Sequence, residues 1–152
     1  MNVVMVKHTP KGKVFWFEAP EHLAGVITPG TRVACDTYRG LRYGTAVSAA
    51  LDSSDVKDVM AASGAVEPLR QITNVARNVF LSNIKIPSHM AHSRPSDEKI
   101  AKRFLELYHT GDFQTHIAVD KDLNLVDGYT AYLVAKKIGM EIISAIIKGA
   151  DY

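Results

Sequence analysis

The apolar period of this 152-residue chain changes once, near residue 80, and that change constrains the fold more than any other feature. Upstream, short alternating runs are broken by Gly and Pro at close intervals. Val3–His8 and Lys13–Glu18 flank Thr-Pro-Lys-Gly, which predicts a hairpin with Gly12 at positive φ. Ala19–Gly25 reads as a helical turn. Pro29-Gly30 opens an alternating run through Asp36, and Arg39-Gly40 turns it back into Leu41–Leu51. Ser53–Ser63 reads as a short helix capped by Ser54, and Pro68–Ala76 as a last strand. Four or five short strands with Gly/Pro turns predict a small, partly open β-barrel over residues 1–76.

Residues 77–83 read as a linker. Beyond it, Ile84–Pro87 reads as a strand and "HMAH" (His89–His92) as part of an extended loop. Ser96 is placed as an N-cap, with Asp97 and Glu98 in the first turn and Ile100, Phe104, Leu105 and Tyr108 at helical spacing. Gly111 ends that helix. His116–Asp120 and Asn124–Val126 read as strands around a polar turn. A helix follows from Tyr129 to Ile138, stops at Gly139, and leads into a closing strand, Glu141–Ile147. The expected fold class is therefore α+β: a small N-terminal β-barrel, then an α+β unit over 84–152.

Composition narrows the class. Hydrophobic content of 47% and charged content of 22% are those of a globular chain. The net charge of +2 gives no strong global field toward nucleic acid or anionic membrane. Residues 1–82 hold nine Lys/Arg against seven Asp/Glu, whereas 83–152 hold nine of each. The basic excess therefore belongs to the first half. A single cysteine, Cys35, excludes an intrachain disulfide and a cysteine zinc site, and fits a reducing cytoplasm. No signal-peptide pattern or membrane-length run occurs, so a cytoplasmic protein without a membrane partner is expected.

Two regions carry candidate chemistry. Leu123–Gly139, "LNLVDGYTAYLVAKKIG", reads as strand, Asp-Gly turn, helix. A helix N-terminus opening from a glycine aims N–H groups and a positive dipole end at a phosphate. Gly128, Tyr129 and Thr130 form that cradle, and Arg94 and Lys99, near the start of the first long helix, are the cations that could converge on it. Asp127 is either a cap or a general base or magnesium ligand, with Glu98 as a second acid. The other region is a hairpin on which Arg32, Arg39 and Arg42 alternate with Tyr38 and Tyr43. Arginines track phosphates and rings stack on bases, so these five are the nucleic-acid candidates. The competing reading is a solvated hairpin whose tyrosines pack on the barrel. Trp16 alternates with Phe15 and Phe17, so one set faces out, and a covered Trp16 is favoured. His89, His92, His109 and His116 lack a supporting cysteine, so no metal site is expected. Asp120–Asn124 lacks the glycine and glutamate of a calcium loop and reads as a turn.

The order of elements over Ile84–Ile147, with "IKIP", "PSDEKIAKRFLELYHTG", "IAVD" and "LVDGYTAYLVAKKIG", resembles the ParB N-terminal / sulfiredoxin-like superfamily. The resemblance implies a nucleotide or phosphate-bearing partner at the glycine-led helix, with an arginine before the preceding helix contributing. Gly128 matches the helix-opening glycine, Tyr132 the aromatic and Ala135 the small packing residue. Tyr129 stands where sulfiredoxins have their cysteine. Thr130 and Ala131 stand where the arginines or histidine belong, so bidentate phosphate contact is lost. Phe15–Ala49, through Pro29, Gly30, Arg32, Val33, Gly40, Gly44 and Val47, is similar to the primosomal helicase N-terminal small-barrel domain. That similarity implies a nucleic-acid-binding or docking barrel.

The expected function is a non-catalytic, ParB-like nucleic-acid-binding protein of bacterial or phage type, with a degenerate phosphate site at Gly128. One alternative is a nucleotide- or nucleic-acid-hydrolysing enzyme using Asp127 and Glu98. Another is an assembly module joined through "VFWF" and "EIISAII" into a homo-oligomer. No cofactor is expected, although Mg²⁺ could accompany a nucleotide.

Overall fold

The computed structural model describes residues 1–113 and 117–149. His116 and the start of its expected strand lie outside those residues. The chain divides into two compact units after Val75.

In the first unit, β1 (Asn2–Lys7) and β2 (Val14–Ala19) form the expected hairpin, in register from Asn2 opposite Ala19 to Lys7 opposite Val14. Gly12 does not have positive φ; its N–H donates to the Thr9 carbonyl at 3.0 Å. A Cβ there would stand 2.5 Å from Thr9 Oγ1, so close approach, not handedness, demands the glycine. Helix α1 (Glu21–Ala24) is one turn. β3 (Arg32–Thr37) and β4 (Gly40–Ala46) make the second hairpin, with Gly40 at φ +94°. β5 (Leu51–Asp52), α2 (Lys57–Ala62) and β6 (Ile72–Val75) complete the unit. Ser54 does not cap α2. Its hydroxyl and N–H both go to Asp52 Oδ1, and the cap position is Val56.

The strand order is β2-β1-β4-β3-β6, with β5 on the far end of β1. The sheet curls strongly. Glu18 on β2 bridges Gln71, just before β6, and donates its N–H to the Arg70 carbonyl at 2.9 Å. One bridge, rather than a full ladder, links the two edges. The concave side buries Val4, Val6, Phe17, Val33, Cys35, Ile72 and Val75 with Leu23 of α1. On the convex side α2 supplies Met60, which packs with Val3 and Leu69, and Trp16 lies against them.

In the second unit, residues 77–80, read above as linker, form strand β7 (Arg77–Phe80), followed by a 3₁₀ turn at Leu81–Asn83. The strand is four residues long with one buried side chain, Val79, so its pattern is too short to stand out. Its partner is β10 (Ile142–Ile147), the expected closing strand, which lies inside the sheet in the order β7-β10-β8-β9. β8 (Ala118–Val119) runs parallel to β10, and β9 (Leu125–Asp127) antiparallel to β8. The expected strand at Ile84–Pro87 reduces to one bridge, Lys85 with Asn124. "HMAH" is helical rather than extended, as α3 (Ser88–Ala91) with His92 as C-cap, because Pro87 opens a turn.

Helix α4 (Asp97–Thr110) starts where Ser96 Oγ accepts from Lys99 N–H at 3.3 Å and ends at Gly111, φ +76°. Ile100, Phe104 and Leu107 turn toward a core of Leu125, Ala131, Val134, Ala135, Ile143 and Ala145. Helix α5 (Tyr129–Ile138) lies between two left-handed glycines, Gly128 (φ +91°) and Gly139 (φ +83°). No described helix is long and apolar enough to cross a membrane.

Candidate functional site

The two regions singled out in the sequence are built differently. At the Gly128 helix end, β9 delivers the chain into a left-handed residue, and Gly128 takes that conformation without a Cβ clash. The N–H of Gly128 is occupied: Asp127 Oδ1 accepts from it at 2.8 Å. A carboxylate therefore sits at the mouth of the expected phosphate cradle and opposes an incoming anion. Ala131 is buried, and the Tyr129 ring stacks on Tyr132 with centroids 6.4 Å apart. Arg94 precedes α4 as an exposed side chain and pairs with Asp97 at 3.5 Å. Glu98 is exposed in the first turn of α4. Among the described residues no group of three or more His, Cys, Asp or Glu is placed to hold a metal ion. His89 and His92 are exposed on α3 and its cap. In the Asp120 turn, Oδ1 accepts from the N–H groups of Asp122 and Asn124, which fulfils the turn reading.

The first unit holds a cleft of about 600 Å³ at one mouth of the curled sheet. Its wall is made by the tips of both hairpins and the segment 63–70 that follows α2. Neighbours along a strand point to opposite faces. Cys35 stands opposite Arg42 and Val33 opposite Gly44, so Arg42 shares the concave face with buried Val33 and Cys35. It emerges at the mouth, where Tyr38 and Arg39 of the turn join it. Lys13, Phe15 and Trp16 come from the first hairpin and Arg70 from the approach to β6. The cleft thus gathers Lys13, Arg39, Arg42 and Arg70; no carboxylate lines it, although Arg70 Nη1 stands 3.8 Å from Asp36 Oδ2, outside the lining. Lys13 Nζ stands 5.7 Å from the Phe15 ring centroid, and the Arg39 guanidinium 5.4 Å from that of Tyr38. The indole N–H of Trp16 donates to Ser63 Oγ at 2.9 Å, so one ring edge is fixed.

Of the five nucleic-acid candidates, the structure brings Tyr38, Arg39 and Arg42 together. Arg32 and Tyr43 fall on the opposite face, by the register Arg32–Thr45 and Ala34–Tyr43. Tyr43 is only 4% exposed, with the Arg32 guanidinium 5.0 Å over its ring and Arg32 Nη1 bonded to Thr45 Oγ1. For this pair the packed-tyrosine reading describes the structure. Lys13, Phe15, His8 and Arg70 are cleft residues that the hairpin spacing did not reveal, because they converge from sequence-distant segments. Trp16 is half-buried, as favoured, yet still contributes to the wall. "VFWF" and "EIISAII" are not free apolar faces: Phe17, Ile143, Ala145 and Ile146 are buried, while Phe15 and Ile142 remain about half exposed.

Fold and site together define an α+β protein whose basic, ring-lined cleft belongs to a strongly curved antiparallel sheet. Among solved structures, the chain is similar to a Pnob8-like ParB-N domain at 20% identity and TM-score 0.42, over 49% of this chain and 30% of that one. It is also similar to a pNOB8-like ParB N-domain at 23% identity and TM-score 0.41, over 49% of this chain and 27% of that one. ParB N-domains are also the family that the Ile84–Ile147 pattern resembles. The match spans less than a third of either of those chains. No protein-family model matches the sequence, and no curated protein matches it.

Proposed function

We propose that this protein binds single-stranded nucleic acid without catalysing a reaction on it, and that the cleft of the first unit is the binding site. The observation that carries this reading is the lining: Lys13, Arg39, Arg42 and the Asp36-paired Arg70 beside Phe15, Trp16 and Tyr38, with no carboxylate in the lining itself. A single strand offers regularly spaced phosphates and exposed ring faces, and cations with aromatic side chains answer both. A duplex keeps its ring faces stacked inside, so it would use the cations alone. The cleft volume suits a nucleotide-sized group. The Gly128 helix end is, in this reading, a degenerate phosphate site, because Asp127 already occupies its first N–H.

Trp16 is the single tryptophan, so its fluorescence reports on the wall of the cleft. Titration with oligodeoxythymidylate at about 50 mM salt should change that fluorescence and weaken steeply as salt rises. Duplex DNA of the same length should bind less tightly. Unchanged fluorescence together with unchanged anisotropy of a labelled oligonucleotide would overturn the reading.

A further inference from the structure

His8 differs from the rest of the cleft wall. It is a polar side chain only 7% exposed. Its Nδ1 lies 2.9 Å from the carbonyl oxygen of Tyr43. A carbonyl only accepts, so Nδ1 carries the proton and Nε2 of the neutral ring carries the lone pair. No described residue bonds to Nε2. Phe15 and Phe17 flank the ring at centroid distances of 5.8 and 5.7 Å, the latter edge-on, and so hold its plane. Gly44 leaves room for the ring, since a Cβ there would come within 3.2 Å of Nδ1. The charges acting on His8 are those of Arg42 from β4 and Arg32 from β3. Lys13, Arg39 and Arg70 line the same cleft, Arg70 paired with Asp36 at 3.8 Å.

We propose that the cleft floor is a phosphate subsite, within the nucleic-acid-binding role above on which this rests, where His8 Nε2 and the Arg42 guanidinium share one phosphoryl group. His8 takes up one proton from solvent as that group arrives. In the empty cleft, burial above all, reinforced by Arg42 and Arg32, holds the imidazole neutral and below its ordinary range. A phosphoryl oxygen reverses both influences. It neutralises the local positive field and accepts from Nε2–H, which favours the imidazolium. A ligand that raises the His8 pKa must bind more tightly in acid, by linkage.

The test uses the full chain and two probes that do not titrate between about pH 5 and 8, oligodeoxythymidylate and sulfate. The imidazole of His8 is followed by NMR with and without each probe. The expected result is a His8 titration midpoint at higher pH in the presence of ligand. Oligonucleotide affinity should rise as pH falls from about 8 to about 5.5, by at most about tenfold for each pKa unit gained. His8→Asn keeps a donor near the Tyr43 carbonyl and should bind with little pH dependence. Full pH dependence retained in His8→Asn, or a His8 midpoint unmoved by saturating oligonucleotide, would overturn the subsite. The wild-type NMR titration decides the matter even where His8→Asn folds poorly. Oligonucleotide binding with an unmoved His8 overturns the subsite and leaves the nucleic-acid reading standing. A shift with sulfate but no oligonucleotide binding keeps the subsite as an oxyanion site and overturns the nucleic-acid reading.

Discussion

Single residues decide how closely the two hairpins of the first unit approach. Gly44 is the tightest point: a Cβ there would meet Val6 Cγ1 at 2.3 Å and the Lys7 carbonyl at 3.1 Å. Gly44→Ala should therefore cost about 1–3 kcal/mol by overpacking, read as a lower urea midpoint with an unchanged slope. Cys35 sits in the same core, fully buried, and burial pushes its thiol up to about 12. It should resist an aromatic disulfide reagent near pH 8 in the native protein and react once urea unfolds the chain. Rapid native labelling would show that the concave core opens. His8 also makes stability depend on pH. Its folded pKa is depressed, so the unfolded chain binds the proton more readily. Stability should be fullest above the ordinary histidine range and fall as pH drops from about 6.5 toward the folded value. Thermal unfolding of His8→Asn should lack that component.

At the scale of elements, caps and glycines set the ends of the long helices. Ser96 was legible as the α4 cap because a serine ahead of two acids and an apolar period has a direct physical meaning. Its bond is long and exposed, so Ser96→Ala should cost only roughly 0.5–1 kcal/mol of stability by urea unfolding. Gly128 was legible as the start of α5, and its φ of +91° explains the glycine. Gly128→Ala should destabilise by about 1–2 kcal/mol, measured the same way. The elements that sequence misplaced are the short ones. β7 has four residues and hid as a linker, and its pairing with β10 is a long-range fact. Ser54 misled because it sits in a cap-like position, whereas Asp52 offers its hydroxyl and N–H a nearer partner.

At the scale of the whole molecule, the net charge of +2 conceals how the cations are distributed. Lys13, Arg39, Arg42 and Arg70 line one cleft, Arg70 also pairing with Asp36 at 3.8 Å, while Arg94 lies in the second unit beside Asp97. If all four cleft cations meet phosphates, the slope of log affinity against log salt should be roughly −3 for a single strand. Arg42→Gln should make that slope shallower by about 0.7. Arg94→Gln should leave both affinity and slope unchanged, and a comparable loss there would move the binding site to the second unit. Anisotropy titrations at several salt concentrations measure both variants.

The sequence by itself determined the α+β class, the two hairpins of the first unit, both long helices and the Asp120 turn. Each of these follows from a local rule: the period of apolar residues, a capping side chain, or a glycine where handedness or close approach requires one. Tertiary structure alone decided which candidate residues meet. Arg32 and Arg42 look equivalent in the sequence, yet strand register turns one to the convex face against Tyr43 and the other into the cleft. The same curling brings His8 and Lys13 of the first hairpin and Arg70 from the approach to β6 to that cleft. At Gly128 the side chain of the preceding residue, Asp127, takes one N–H of the helix end, a bond that the sequence pattern left open. Local pattern states what a segment can form. Register and curvature act between segments distant in the chain, so they set the site.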